Sequence, residues 1–208
     1  MSNHDGIEIN IDNAELERKV AVLNHIRGAA PRAISHAMNR AIVGVRTDIG
    51  RVVPKTYVNV GRETAQKGVW INRATTSNLS ASIRRKGPRL QARRFPHDPN
   101  TNPGVRGGQA VFLRPRKDGG GWHLKAERNL SKAFVIRDKN GKMKRGPGIY
   151  RRIKNHRNRL THARGLSVPE MLADTQVRKV IQDGAVSRFN KNLDSNIANE
   201  LRKAGGAK

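Results

Sequence analysis

Charge limits what this chain can fold into. Lys and Arg number 42 against 16 Asp and Glu, leaving +26 at pH 7 over 208 residues. Repulsion on that scale opposes compaction unless a polyanion or neighbouring subunits screen it. Apolar residues make up 36% and aromatics 4%, below the usual apolar share of about 45–50%. The core that must resist the repulsion is therefore lean. With no Cys, disulfides, thiolate metal sites and a Cys nucleophile are excluded. Apolar runs such as 41–45 fall far short of the roughly 18 residues a membrane span needs. Residues 1–5 have neither the basic nor the apolar region of a secretory signal. The expectation is a soluble basic protein that works inside an assembly, with no membrane contact.

The charge is unevenly spread. The first seventeen residues hold Asp5, Glu8, Asp12, Glu15 and Glu17 and no Lys or Arg. Between 84 and 164, 24 Lys and Arg face four acids (Asp98, Asp118, Glu127 and Asp138). An acidic lead before a basic body either meets the body of a neighbour or folds back on its own. The organisation read from this is an acidic lead at 1–11, a single α+β domain at 12–203 and a flexible tail at 204–208.

Helix opens near Asp12, where Asp12 and Glu15 have the spacing of a capping box. Leu16, Val20 and Leu23 follow at helical spacing until Gly28 and Pro31 interrupt. Ile34, Met38, Ile42, Val45, Ile49 and Val52 form the stripe of a second helix, which Val53-Pro54 is expected to end. A short helix is expected at 62–68. The period then moves towards two, with strands at 69–71, 79–83, 110–113 and 133–136 and another arm from 149 to 153. Asn140-Gly141 between the last two is a hairpin signal. The expectation is one central antiparallel meander with a long Pro- and Gly-rich loop at about 96–121. Ser167 and Pro169 open the last helical region. There Val177, Ile181, Ala185, Phe189, Leu193, Ile197 and Leu201 recur every fourth residue. Each such step rotates about 40° on a helix of 3.6 residues per turn, so no single flat surface can bury them all. Either Gly184 kinks the helix or its later part packs outside its own domain.

Catalytic constellations are missing from the pattern. His4, His25, His36, His97, His123, His156 and His162 show no metal-ligand spacing, and His97-Asp98 reads as a hydrogen-bonded turn. Gly119-Gly120-Gly121 lacks the Lys-Ser/Thr of a phosphate loop. Acids in the basic block are too few for a two-metal nuclease. No enzyme activity, metal or cofactor is expected. The signal that remains is basic: Arg84, Arg85, Lys86, Arg89, Arg93, Arg94, Arg114, Arg116, Lys117, Lys142, Lys144, Arg145, Arg151, Arg152, Lys154, Arg157 and Arg159. Such residues grip phosphate without choosing sequence, or meet acidic protein neighbours. Phe95 and Tyr150 lie among them and fit base stacking and a strand core equally well.

Three segments in order, 37–41 (Ala-Met-Asn-Arg-Ala), 74–83 (Ala-Thr-Thr-Ser-Asn-Leu-Ser-Ala-Ser-Ile) and 165–172 (Gly-Leu-Ser-Val-Pro-Glu-Met-Leu), resemble the minor tail protein Z family of long-tailed bacteriophages. The likeness spans roughly residues 30 to 200. It implies that Ala33, Ala37 and Ala41 lay the long helix against the sheet. It also implies that Thr76 or Ser77 caps the turn before the 79–83 strand, and that Ser167 caps the last helix. In function it implies a structural virion protein, made in the host cytoplasm, that completes the tail at its head-proximal neck. There it forms a homo-oligomeric ring, expected as a hexamer, around the DNA channel. Its partners would be the tail terminator or tube, the head connector and phage DNA. The rival readings are a free non-specific nucleic-acid-binding or packaging protein, and a basic nuclease or toxin.

Overall fold

A computed structural model describes residues 6–8, 13–98, 112–118, 133–136, 148–152 and 160–205. The chain gathers into two compact units, one built from 1–52, 62–86 and 172–208, the other from 53–61 and 87–171. The fold class is α+β, with helices towards the N-terminus, small antiparallel sheets and a long C-terminal helix.

Helix α1 (Asn13–Val20) tightens into a 3-10 turn at Ala21–Leu23, which buries Leu23 fully. Asp12 lies outside the described residues, and Glu15 pairs with Lys19 at 3.3 Å. Gly28, at φ +70°, turns the chain into α2 (Ala29–Thr56). Pro31 falls in the first turn of α2, where its missing N–H costs nothing. The expected stop at Val53-Pro54 is not observed, because α2 carries Pro54 and ends at Thr56. Pro54 forfeits one hydrogen bond in the last turn, while Tyr57 N donates to Val53 O at 2.9 Å and keeps that turn closed.

The last helical region divides in two. Ser167 caps the short α4 (Val168–Leu172): its Oγ accepts from Glu170 N at 3.3 Å, and the Glu170 carboxylate accepts from Ser167 N at 2.7 Å. This reciprocal pair satisfies two end donors. Asp174 then restarts the helix, its Oδ1 accepting from Gln176 N at 3.0 Å and Val177 N at 3.2 Å. The restarted α5 (Thr175–Gly205) runs unbroken through Gly184. Val177, Ile181, Ala185, Phe189 and Leu193 are buried, but Ile197 is half-buried and Leu201 is 38% exposed. The stripe winds off the buried face, and Asn196 and Glu200, three and seven residues past Leu193, take its place.

Helix α5 lies antiparallel to α2 within the first unit. Arg32 reaches Glu200 at 2.9 Å, Asn196 Nδ2 donates to Ala33 O at 3.1 Å, and Arg188 Nη2 meets Asp48 at 2.5 Å. A Cβ on Gly184 would come within 3.2 Å of Asp48, and one on Gly44 within 2.7 Å of Arg188. Ala33, Ala37 and Ala41 therefore pack in a cluster with Phe189 and Leu193. The alanine face meets a helix, where the resemblance implied a sheet.

The strands expected as one meander divide among three sheets. The first unit holds β1 (Gly6–Glu8), β2 (Val69–Asn72) and β3 (Ser82–Arg85) in the order β1-β3-β2, all antiparallel neighbours. Helix α3 (Arg62–Gln66) precedes β2, and Gly68 joins them at φ +75°, where a Cβ would sit 2.5 Å from Lys86 O. In the second unit β4 (His97–Asp98) pairs with β5 (Phe112–Leu113). There β6 (Ala133–Ile136), β7 (Gly148–Arg152) and β8 (Leu160–His162) form a sheet in that order. The meander breaks because β3 is flanked on both sides, by β2 and by the acidic N-terminal segment. That segment thus folds back on its own unit. His97-Asp98 is strand, not turn. The strand expected from 79 begins at Ser82, and Thr75 ties the turn before it, its Oγ1 accepting from Asn78 N at 3.0 Å. Asn140-Gly141 and most of the 96–121 loop lie outside the described residues.

Hydrogen bonds from Lys203 and then Arg32 hold the Glu200 carboxyl below its ordinary 4.5. A depressed folded pKa stabilises above the unfolded value and is lost as pH falls through the folded one. Glu200→Gln should therefore flatten the loss of stability below about pH 4.5 in urea titrations at stepped pH. Superimposed acid limbs for the two proteins would contradict this.

Candidate nucleic-acid and partner interface

The second unit assembles its basic residues on a strap at 56–59. Lys117 N donates to Thr56 O at 2.9 Å, Val58 N to Pro115 O at 2.7 Å, and Tyr57 bridges to Arg116. Asn59 adopts φ 54°, a left-handed conformation that Asn tolerates better than most residues. Its Nδ2 donates to Arg94 O at 2.7 Å. The strap thus brings together two clusters that are distant in sequence, 93–94 and 114–117. Arg93, Arg94, Arg114 and Lys117 are exposed there. Arg93 donates to Gln91 Oε1 at 2.8 Å and lies against β7, its Cδ 3.7 Å from where a Gly148 Cβ would be. Arg151 is exposed on β7 itself.

Other basic residues are neutralised within their unit. Arg116 meets Asp118 at 2.7 Å and Arg89 meets Glu170 at 2.6 Å. The 84–94 cluster is divided, because Arg84, Arg85 and Lys86 belong to the first unit and Arg89, Arg93 and Arg94 to the second. Arg84 and Lys86 are exposed, whereas Arg85 is 5% exposed and turned inward. Its Nη2 donates to Thr64 O at 3.2 Å, while Nε and Nη1 are buried without a partner among the described residues. Burial pulls this guanidinium below the usual arginine pKa. Arg85 thus departs from the outward role expected of it. Lys142, Lys144, Arg145, Lys154, Arg157 and Arg159 lie outside the described residues, and Arg152 is placed by its backbone in β7.

Phe95 and Tyr150 are both about 1% exposed, which makes them core. Tyr150 packs against His162 with ring centroids 4.5 Å apart. Trp70 is the opposite case, a large aromatic 68% exposed on β2, directly across from Arg84. Sequence reasoning passed over it, and over β1, although Ile7-Glu8-Ile9-Asn10-Ile11 alternates with the period of a strand. Among the described residues no group of three or more His, Cys, Asp or Glu could hold a metal ion, and no helix is long and apolar enough to cross a membrane.

Two of the segments that carry the family likeness touch. Asn39 Nδ2 donates to Ala74 O at 2.9 Å, and Ala74 N donates back to Asn39 Oδ1 at 2.9 Å. Asn39 thereby pins the 74–83 segment to α2. The third segment, 165–172, holds the Ser167–Glu170 cap. The model of the family described as prophage minor tail protein Z matches residues 15–204. The chain belongs to that family. Comparison with curated proteins and with solved structures finds no match. Membership of the minor tail protein Z family makes the chain a structural component of a phage tail.

A buried charge without a counter-charge costs more than an apolar side chain of similar size. Arg85→Met should therefore leave the thermal midpoint unchanged or raise it, by a few degrees at most. A clear fall in the midpoint would show that Arg85 satisfies a need beyond Thr64 O.

Proposed function

We propose that this protein completes the tail at its head-proximal end, as a homo-oligomeric ring around the DNA channel, with no chemistry of its own. The observation that carries the reading is the sorting of its cations. Arg32, Arg89, Arg116 and Arg188 each hold a carboxylate partner, whereas Arg93, Arg94 and Lys117 stand exposed around one strap. Exposed cations of this kind supply phosphate affinity that is sequence-blind and falls steeply with salt. A channel that conducts DNA needs many weak, exchangeable contacts, because a tight grip would stall ejection. Membership of a tail-protein family supports the virion location, and its neighbours there would be the tail terminator or tube and the head connector. A fixed place in a particle is also where a charge of +26 meets a lasting screen.

An early stop codon in the gene tests this directly. Negative-stain microscopy and titration of the lysate should then show separate heads and tails, or joined particles that fail to infect. Normal infectious particles would overturn the reading in favour of a free nucleic-acid-binding protein. Complementation with Arg93→Gln/Arg94→Gln/Arg114→Gln/Lys117→Gln should give a folded protein and a lowered titre. An unchanged titre would remove DNA contact by this strap from the account.

A further inference from the structure

We propose that the β1-β3-β2 sheet of one copy continues edge to edge into the next, the outer edge of β2 receiving β1 of a neighbouring copy. The proposal rests on the ring reading above and names the surface that would build it. Among the described residues β1 and β2 each pair with β3 alone, so the sheet has two open edges. An open edge is a template for another chain unless Pro, charge or a bulge blunts it. Strand β2, Val69-Trp70-Ile71-Asn72, contains none of these. It also exposes Trp70, and large exposed aromatics are typical of interface centres.

The two edges differ in charge. Glu8 lies in β1, within a stretch of seventeen residues whose charged side chains are all acids. Strand β2 is bracketed by Lys67 and Arg73, both exposed, while Arg84 sits on the central strand opposite Gly6 and Trp70 alike and favours neither edge. A two-fold contact would set basic edge against basic edge, or acidic against acidic, whereas β2 against β1 matches opposite charges. Contacts between unlike patches are head-to-tail, and such contacts close into rings when the rotation allows. Both outer strands run antiparallel to β3, hence parallel to each other. Rotation about an axis along the strands keeps that sense, so the inter-copy pairing is parallel.

The absence of native Cys makes a clean test possible. Full-length Glu8→Cys/Asn72→Cys and Gly6→Cys/Asn72→Cys variants sample two registers on the same sheet face. Within one chain β1 and β2 stand on either side of β3, about 9–10 Å apart, beyond the roughly 7 Å a disulfide can bridge. Tails assembled with a variant as the sole copy would be oxidised and run on non-reducing gels. A ladder of multimers that collapses with reductant, against dimers at most for each single variant, is the expected result. Monomer bands from tails whose micrographs still show the ring would overturn the edge pairing and leave the ring reading standing. Tails lacking any ring of this chain would overturn both. Monomer bands together with quenching of tryptophan fluorescence by DNA in wild-type protein, lost in Trp70→Phe, would give the β2 face to nucleic acid.

Discussion

The antiparallel contact between α2 and α5 is the interaction on which the first unit depends. Gly44 and Gly184 leave room for the Arg188–Asp48 pair between the helices, and Ala33, Ala37 and Ala41 pack with Phe189 and Leu193. A chain with so few aromatics cannot fill a wide core, so it closes the gap with small residues. Dispersion contacts then make up for the missing volume. Ion pairs stand at both ends of the contact, Asp48 with Arg188 and Arg32 with Glu200. Each supplies an acid to a cation that would otherwise add to the repulsion. Asn39 on α2 holds Ala74, and with it the turn that leads into β3.

That arrangement explains how a strongly basic chain folds and why it still needs partners. Sixteen acids cannot neutralise 42 bases, and among the described residues Asp48, Glu170 and Glu200 each hold separate elements together. Glu170 closes the α4 cap and takes Arg89, and Glu200 takes Arg32 and Lys203. The surplus charge is exposed on both units. In the ring proposed above, that surplus would face DNA phosphates or the acidic edges of neighbours, and the assembly would supply the screening.

The helices were largely legible in the sequence, because a 3.6-residue period and capping residues are local signals. Gly28, Pro31 and Ser167 mark boundaries where the chain does turn. The arithmetic of the four-residue stripe foretold that no single surface would bury all of it; the helix does not kink at Gly184, and Leu201 is the member left exposed. It could not foretell that Asn196 and Glu200 would replace it, since their partners, Ala33 O and Arg32, are more than 160 residues away. Pro54 misled because the rule for residues before proline is a local preference, and the bond from Tyr57 to Val53 overrode it. Sheet membership was the least legible part. Which strands share a ladder depends on long-range pairing, and β1 came from a segment read only for its charge. The candidate site divided in the same way. Sequence marked the cations, but which were spent on carboxylates, which were buried like Arg85 and which were gathered by Asn59 and its strap are tertiary facts.

The most direct measurement is cryo-electron microscopy of assembled particles, focused on the head–tail junction. A ring of this fold is expected at the head-proximal end of the tail, coaxial with the DNA, with density linking the basic strap to the channel. Finding the protein elsewhere in the tail, or absent from mature particles, would contradict it.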